Sequence, residues 1–171
     1  MITMAIRNIV KLGDDCLRKV CKPQEKFDLR LWLLLKDMAD TMYKAEGVGL
    51  AGPQVGILRR VVVIDVGDGL VELINPVIVD HSENTVVNYE GCLSVPGING
   101  DVERWEWVEV ECYNEDYQLV RYKSGGLFGR CMQHELDHLD GKTYVDRMPP
   151  LARIQALKDY DEARARGAKP G

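Results

Sequence analysis

Histidine is scarce in this chain, with three residues in 171, so two that stand close together are a candidate site. A basic excess is missing too: 22 lysines and arginines face 27 acidic residues, for a formal net charge of −5. Nonspecific nucleic-acid binding needs a cationic surface to displace phosphate counterions, so direct DNA binding is not expected. No apolar run approaches the length of a membrane span, and Met1-Ile2-Thr3-Met4 lacks the charged-then-apolar layout of a signal peptide. The expectation is a cytoplasmic protein with no membrane association. Five cysteines (Cys16, Cys21, Cys92, Cys112 and Cys131) are odd in number and have no C-x-x-C spacing. That excludes a disulfide framework and makes most of them small buried hydrophobes. What remains, 46% hydrophobic and 29% charged residues, suits a single globular domain over 1–171 with a substantial core. Its basic, glycine- and proline-bearing end, 164–171, reads as a mobile tail.

Two of the three histidines fall in Gln133-His134-Glu135-Leu136-Asp137-His138. Four residues apart on a helix, their imidazoles share one face, about 6 Å apart, and can hold one metal ion. Glu135 lies beside the first ligand, close enough to exchange protons with a water at the metal without binding the metal itself. Ser124-Gly125-Gly126 precedes an apolar run through Leu127, Phe128, Cys131 and Met132, and Gly141 stands where a helix ends. The motif therefore sits on a helix.

Earlier in the chain, Leu31, Leu34, Leu35, Met38, Met42 and Ala45 share a helical face, with Asp28 as N-cap, Phe27 stapled onto Trp32 and Gly47 as terminator. The next stretch, Gly47-Val48-Gly49-Leu50-Ala51-Gly52-Pro53-Gln54, matches G-x-G-x-x-G by letter. That fingerprint must follow a strand and open a helix; here it follows a helix and leads into Arg60-Val61-Val62-Val63-Ile64, so a dinucleotide site is rejected. Its glycines permit close backbone approach to a ligand, and Gln54 brings an amide donor. Strands are expected over 61–66, 71–74, 77–79 and 85–89, broken by Gly67-Asp68-Gly69, Asn75-Pro76 and Ser82-Glu83-Asn84 in an antiparallel meander. His81 falls in one of these connections as a solvated residue without a role. Val102 to Tyr113 alternates as one half-buried strand, a turn at Asn114-Glu115-Asp116 leads to another over 118–123, and Leu151, Ile154 and Leu157 mark the apolar face of a final helix.

Glu90-Gly91-Cys92-Leu93-Ser94-Val95-Pro96-Gly97 is the second chemical candidate, because a cysteine in such a bend can expose its sulfur and neighbouring N–H groups. It can attack as a thiolate with a histidine as base, or join His134 and His138 at a metal. Ligation is favoured: histidines bound to a metal are not free to deprotonate a thiol, whereas a nearby cation lowers the thiol's pKa. A zincin-type protease would need a third ligand downstream, and no histidine follows His138. A closed structural site would need four protein ligands, and the two motifs themselves supply three.

Together the segments Gly47 to Gln54, Glu90 to Ser94 and His134 to His138 resemble, in order, the three signatures of the peptide deformylases, G-Φ-G-Φ-A-A-x-Q, E-G-C-L-S and H-E-Φ-D-H. Gly52 replaces the second alanine of the first, and the lost methyl is expected to loosen that loop. The resemblance implies an α+β fold, with antiparallel sheets around the metal-binding helix, an N-terminal core helix and a C-terminal helix. It implies one divalent metal ion per chain on Cys92, His134 and His138, ferrous iron (Fe2+) physiologically, with Zn2+, Ni2+ or Co2+ accepted in preparations. Glu135 would move the proton, and Gln54 with the N–H of Leu93 would stabilise the oxyanion as formate is released from an N-formylmethionyl peptide. The peptide would lie beside Val48, Gly49 and Gly91, its methionine against Leu127, Cys131, the stem of Glu90 and the ring of His134, with Arg130 nearby in an unassigned direction. Through its C-terminal helix the family likeness adds the ribosome, near the nascent-chain exit, as a partner.

Overall fold

The computed structural model describes residues 5–166. Its centre is the most apolar stretch of the sequence, Val61–Ile64 (β2), every residue of which is buried. Side chains alternate along a strand, so Val61 and Val63 meet Leu31, Leu35, Met38 and Met42 of α1 (Leu29–Lys44). Val62 and Ile64 meet Cys131, Met132, Leu136 and Leu139 of α2 (Gly126–Leu139) on the opposite face. A strand covered on both faces needs no polar alternation, which is why it reads as an unbroken apolar run.

Around β2 runs a five-stranded antiparallel sheet in the order β1 (Gly49–Ala51), β2, β3 (Val71–His81), β6 (Trp107–Tyr113), β7 (Leu119–Gly125). The intervening β4 (Thr85–Gly91) and β5 (Asn99–Trp105) form a separate two-stranded sheet. Tyr144, Val145 and Met148, with Ala156 and Tyr160 of α3 (Pro150–Ala165), join Val95 and Val102 in a third apolar cluster beside this hairpin. The fold is α+β, with antiparallel sheets and three helices.

Several local expectations fail for identifiable reasons. Asn75-Pro76 does not break the strand. Asn75 adopts φ +52° and exchanges hydrogen bonds with the Gln24 backbone, so β3 continues through a register shift. Val102–Tyr113 is two strands rather than one, because the chain turns at Glu106, whose N–H donates to Asn84 O at 3.2 Å. Asp28 does cap α1, its carboxylate accepting the Leu31 N–H, but Phe27 packs edge-on against Tyr113 and Tyr117, not Trp32. The left-handed residue after α1 is Glu46, φ +59°, one place before Gly47. His81 ends β3 and lies parallel on the Trp105 ring, centroids 3.9 Å apart. The expected apolar stripe of α3 is split: Leu151 and Ile154 face outward, 84% and 63% exposed, while Leu157 packs inward beside the buried Ala156 and Tyr160. Arg164, expected to open the tail, belongs to α3 and donates to Leu12 O at 3.3 Å. The rest of the tail expectation, 167–171, lies outside the described residues.

Gly52 contradicts the expectation of a loosened loop. A Cβ there would sit 2.6 Å from Ile57 O and 2.7 Å from Arg59 O, so the bare Cα lets the following turn close down on it. After β1 the segment forms a 3-10 turn, Gly52–Val55, ended by Gly56 at φ +79°.

Candidate active site

Helix α2 presents His134 and His138 on one face, ring centroids 5.2 Å apart. The turn after β4 brings Cys92 to them, its Sγ 3.4 Å from His138 Nε2. One donor atom from each of the three lies within 4.8 Å of the others. Burial works to raise the Cys92 thiol, but His138 and His134 outweigh it and hold the group well below the usual thiol range. The thiolate is thus the favoured form, as a ligand requires.

The other ring nitrogen of His134 is fixed by Glu90: Nδ1 donates to Glu90 Oε1 at 2.8 Å. Burial would raise the Glu90 carboxyl, yet His134 and Arg104 hold it down at about 2. An ionised acceptor at Nδ1 sets the tautomer that leaves the Nε2 lone pair free for a metal. Glu90 is itself held by Arg104, whose Nε lies 2.6 Å from Oε2 and Nη2 3.0 Å from Oε1, and by Arg130 Nη1 at 2.6 Å from Oε2. Arg104 also donates to Asp137 at 3.0 Å, and Asp137 accepts two further bonds from Arg147. Arg130 continues to Val102 O and Val86 O, so it ties α2 to the hairpin.

Glu135 is buried beside this cluster, and its Oε1 has no hydrogen-bond partner among the described residues. Its Oε2 lies so near the β1 backbone that a Cβ on Gly49 would approach it to 2.5 Å. Burial raises its pKa above the ordinary carboxylate value, against the pull of His134 and His138. Gln54, on the 3-10 turn after β1, accepts the Ala51 N–H with Oε1; its Nε2 donates to Ser94 Oγ at 3.0 Å and makes a longer contact of 3.5 Å with Cys92 Sγ. Three converging soft and borderline donors, with an unsatisfied carboxylate oxygen beside them, fit a divalent transition metal.

Above the cluster opens a cavity of about 530 Å3. Val48, Gly49, Gln54, Glu90, Gly91, Cys92, Leu93, Leu127, Cys131, His134 and Glu135 all line it, and Arg130 joins them. His138 lies beneath, fully buried. A family model described as polypeptide deformylase matches residues 6–153. The chain belongs to the polypeptide deformylase family. A peptide deformylase of Caldicellulosiruptor bescii is 47% identical over 97% of this chain and 98% of its own. One from Acetivibrio thermocellus is 51% identical over 85% of each chain. Among solved structures, a peptide deformylase from Legionella pneumophila superposes with a TM-score of 0.90 at 42% identity, covering 97% of this chain and all of that one. One from Synechococcus elongatus, in complex with actinonin, gives 0.88 at 40% identity over 94% and 88%. Peptide deformylases are hydrolases of protein biosynthesis, and the family depends on a metal.

Sequence reasoning missed Arg104 and Arg147 and gave no part to the motif members Asp137 and Ser94, although the four hold the other motif residues in place. It also gave Glu90 a lesser part than its charge plays. In the hairpin register Glu90 faces Gly100, and Arg104, four residues along β5, shares that face; no local sequence signal marks this pairing.

Proposed function

We propose that this chain removes the N-formyl group from the methionine that begins a newly made polypeptide, releasing formate. The observation that carries the reading is the unpartnered Oε1 of Glu135 beside the Cys92–His134–His138 cluster, at the floor of a cavity large enough for a peptide end. Cys92, His134 and His138 would hold one divalent metal, with ferrous iron the physiological ion. When bound, such an ion supplies Lewis acidity that lowers the pKa of water and polarises a carbonyl.

Glu135 takes a proton from the water that attacks the formyl carbon and returns one to the departing methionine nitrogen, so that formate and a free amine result. Its raised pKa brings its two protonation states closer in energy, which helps it act in both directions. Gln54 Nε2 can give up its long contact with Cys92 Sγ and turn that proton toward the oxygen on which charge develops, alongside the Leu93 N–H. Ser94 keeps the amide oriented during this change. Leu127, Cys131, the Glu90 stem and the His134 ring receive the methionine side chain, while the backbone of Val48, Gly49 and Gly91 takes the following peptide as an added strand. Residues 1–171 act as one catalytic unit in the cytoplasm, where such substrates are made. Lys158 on α3, Arg166 at its C-cap, and the exposed Leu151 and Ile154 support a contact with the ribosome near the exit of the nascent chain.

The deciding experiment compares formate release from formyl-Met-Ala-Ser with cleavage of an internal peptide bond. Formate without internal cleavage is expected; the reverse would make the protein a protease. Enzyme prepared without oxygen should contain mainly iron and lose activity on aeration, whereas Ni2+ or Co2+ forms should survive. An air-stable native zinc form as fast as the iron form would refute that assignment.

A further inference from the structure

Beyond the residues assigned to the methionine side chain, the cavity is also lined by Ile9, Lys11, Glu46, Pro96 and Gly97. Part of this wall is an extended strap near the chain's beginning. Val10 N–H donates to Gln54 O at 2.7 Å and Leu12 N–H to Ser94 O at 2.8 Å, so the strap bridges the segments that carry Gln54 and Cys92. Arg7 anchors it to α1 through a two-pronged contact with Asp37 and a backbone bond to Thr41 Oγ1. Between these fixed points Lys11 lines the cavity.

Lys11 is half-buried, and its ammonium donates to Ile9 O at 2.9 Å, with no carboxylate within ion-pair distance among the described residues. An ammonium carries three donors, so two remain for a ligand. Burial already pulls its pKa below the ordinary lysine value, a cost that an arriving anion offsets. Glu46, the other charged group at this end, is exposed and therefore screened by water and salt. The two charges are thus unequal, and the held, half-buried cation dominates.

We propose that Lys11 is a specificity-determining residue that recognises an acidic side chain on one of the residues following formylmethionine in the substrate. This rests on the deformylase reading, because it assigns these lining residues to peptide beyond the methionine. Recognition is by charge pairing of a carboxylate with a partly desolvated ammonium, and it should weaken with salt.

The test measures kcat/KM on C-terminally amidated peptides, formyl-Met-Asp-Ser and formyl-Met-Ser-Asp, each against its lysine counterpart. At low ionic strength the wild-type enzyme should favour aspartate by about three- to tenfold at one of the two positions, the range of partly shielded ion pairs. Lys11→Arg should keep the preference and Lys11→Glu should invert it. An aspartate-to-lysine ratio equal in wild type and Lys11→Glu at both positions overturns the proposal. Should Lys11→Glu fail to fold, a wild-type ratio of one at both positions overturns it equally. No formate from any peptide would instead remove the deformylase reading beneath it, a result distinguishable from a flat ratio.

Discussion

Replacing Glu90 with glutamine keeps the side chain's size and removes its charge. Four donors converge on its two oxygens: His134 Nδ1 and Arg104 Nη2 on Oε1, Arg104 Nε and Arg130 Nη1 on Oε2. A glutamine amide must turn its NH2 toward one of these pairs, so in either orientation donor meets donor. Arg104, 5% exposed, would also lose its closest counter-charge. Breaking a buried ion pair from one side costs about 3–5 kcal/mol; since Asp137 still faces Arg104 Nη1 at 3.0 Å, about 3 is expected. Against a domain stability of about 5–15 kcal/mol that is a large share. A second effect is separable from the first: His134 loses the ionised partner that fixes its tautomer, which should weaken metal binding about 10- to 100-fold. Urea unfolding of the metal-free protein reads the stability loss, and competition with a chelator reads the affinity. Adding Arg104→Met should restore part of the stability but not the affinity, because it removes the stranded cation without returning an acceptor to His134. A stability change under about 1 kcal/mol together with unaltered metal affinity would refute the reasoning.

Glu135→Gln should keep the metal and lower turnover by about two to four orders of magnitude, the usual contribution of general acid–base catalysis; metal analysis and kinetics on one sample check both, and near-normal turnover would remove Glu135 from its role. Gly52→Ala should destabilise by about 1–3 kcal/mol, because the added methyl meets the carbonyls of Ile57 and Arg59; a denaturation midpoint at or above that of wild type would show that the turn yields freely. Lys158→Glu with Arg166→Glu should weaken salt-sensitive ribosome binding while formyl-peptide hydrolysis persists. Co-sedimentation decides it, and unchanged binding rejects the contact. These substitutions are preferable to deleting the end of α3, since Tyr160, 3% exposed, packs in the third apolar cluster.

The residues that carry chemistry were legible because helical spacing alone unites His134 with His138, and glycines flag where backbone must come close to a ligand. Gly49 shows this directly, since a side chain there would strike the Glu135 carboxylate. What stayed hidden depends on pairing across distance. Arg104 finds Glu90 only through the hairpin register, and nothing local marks its sequence position as buried. The turn at Glu106 was obscured because Val102, Val108 and Val110 keep the same alternation although β5 and β6 belong to different sheets. The stripe of α3 misled for the opposite reason: its spacing was right, but of its three members only Leu157 packs inward, beside Ala156 and Tyr160.

Cys92 and His138 stand 46 residues apart in the chain. In an unfolded polypeptide, joining two points at that separation restricts the coil by about 4 kcal/mol, the chain-entropy value for a covalent link. The link here would be the metal itself. The β4–β5 hairpin shares no strand pairing with the five-stranded sheet, so its hold on α2 relies on side chains and on that one bridge. Stripping the metal should therefore release the hairpin first, with amide exchange quickening in β4 and β5 before β2, and the ion that would serve the chemistry would also staple the fold.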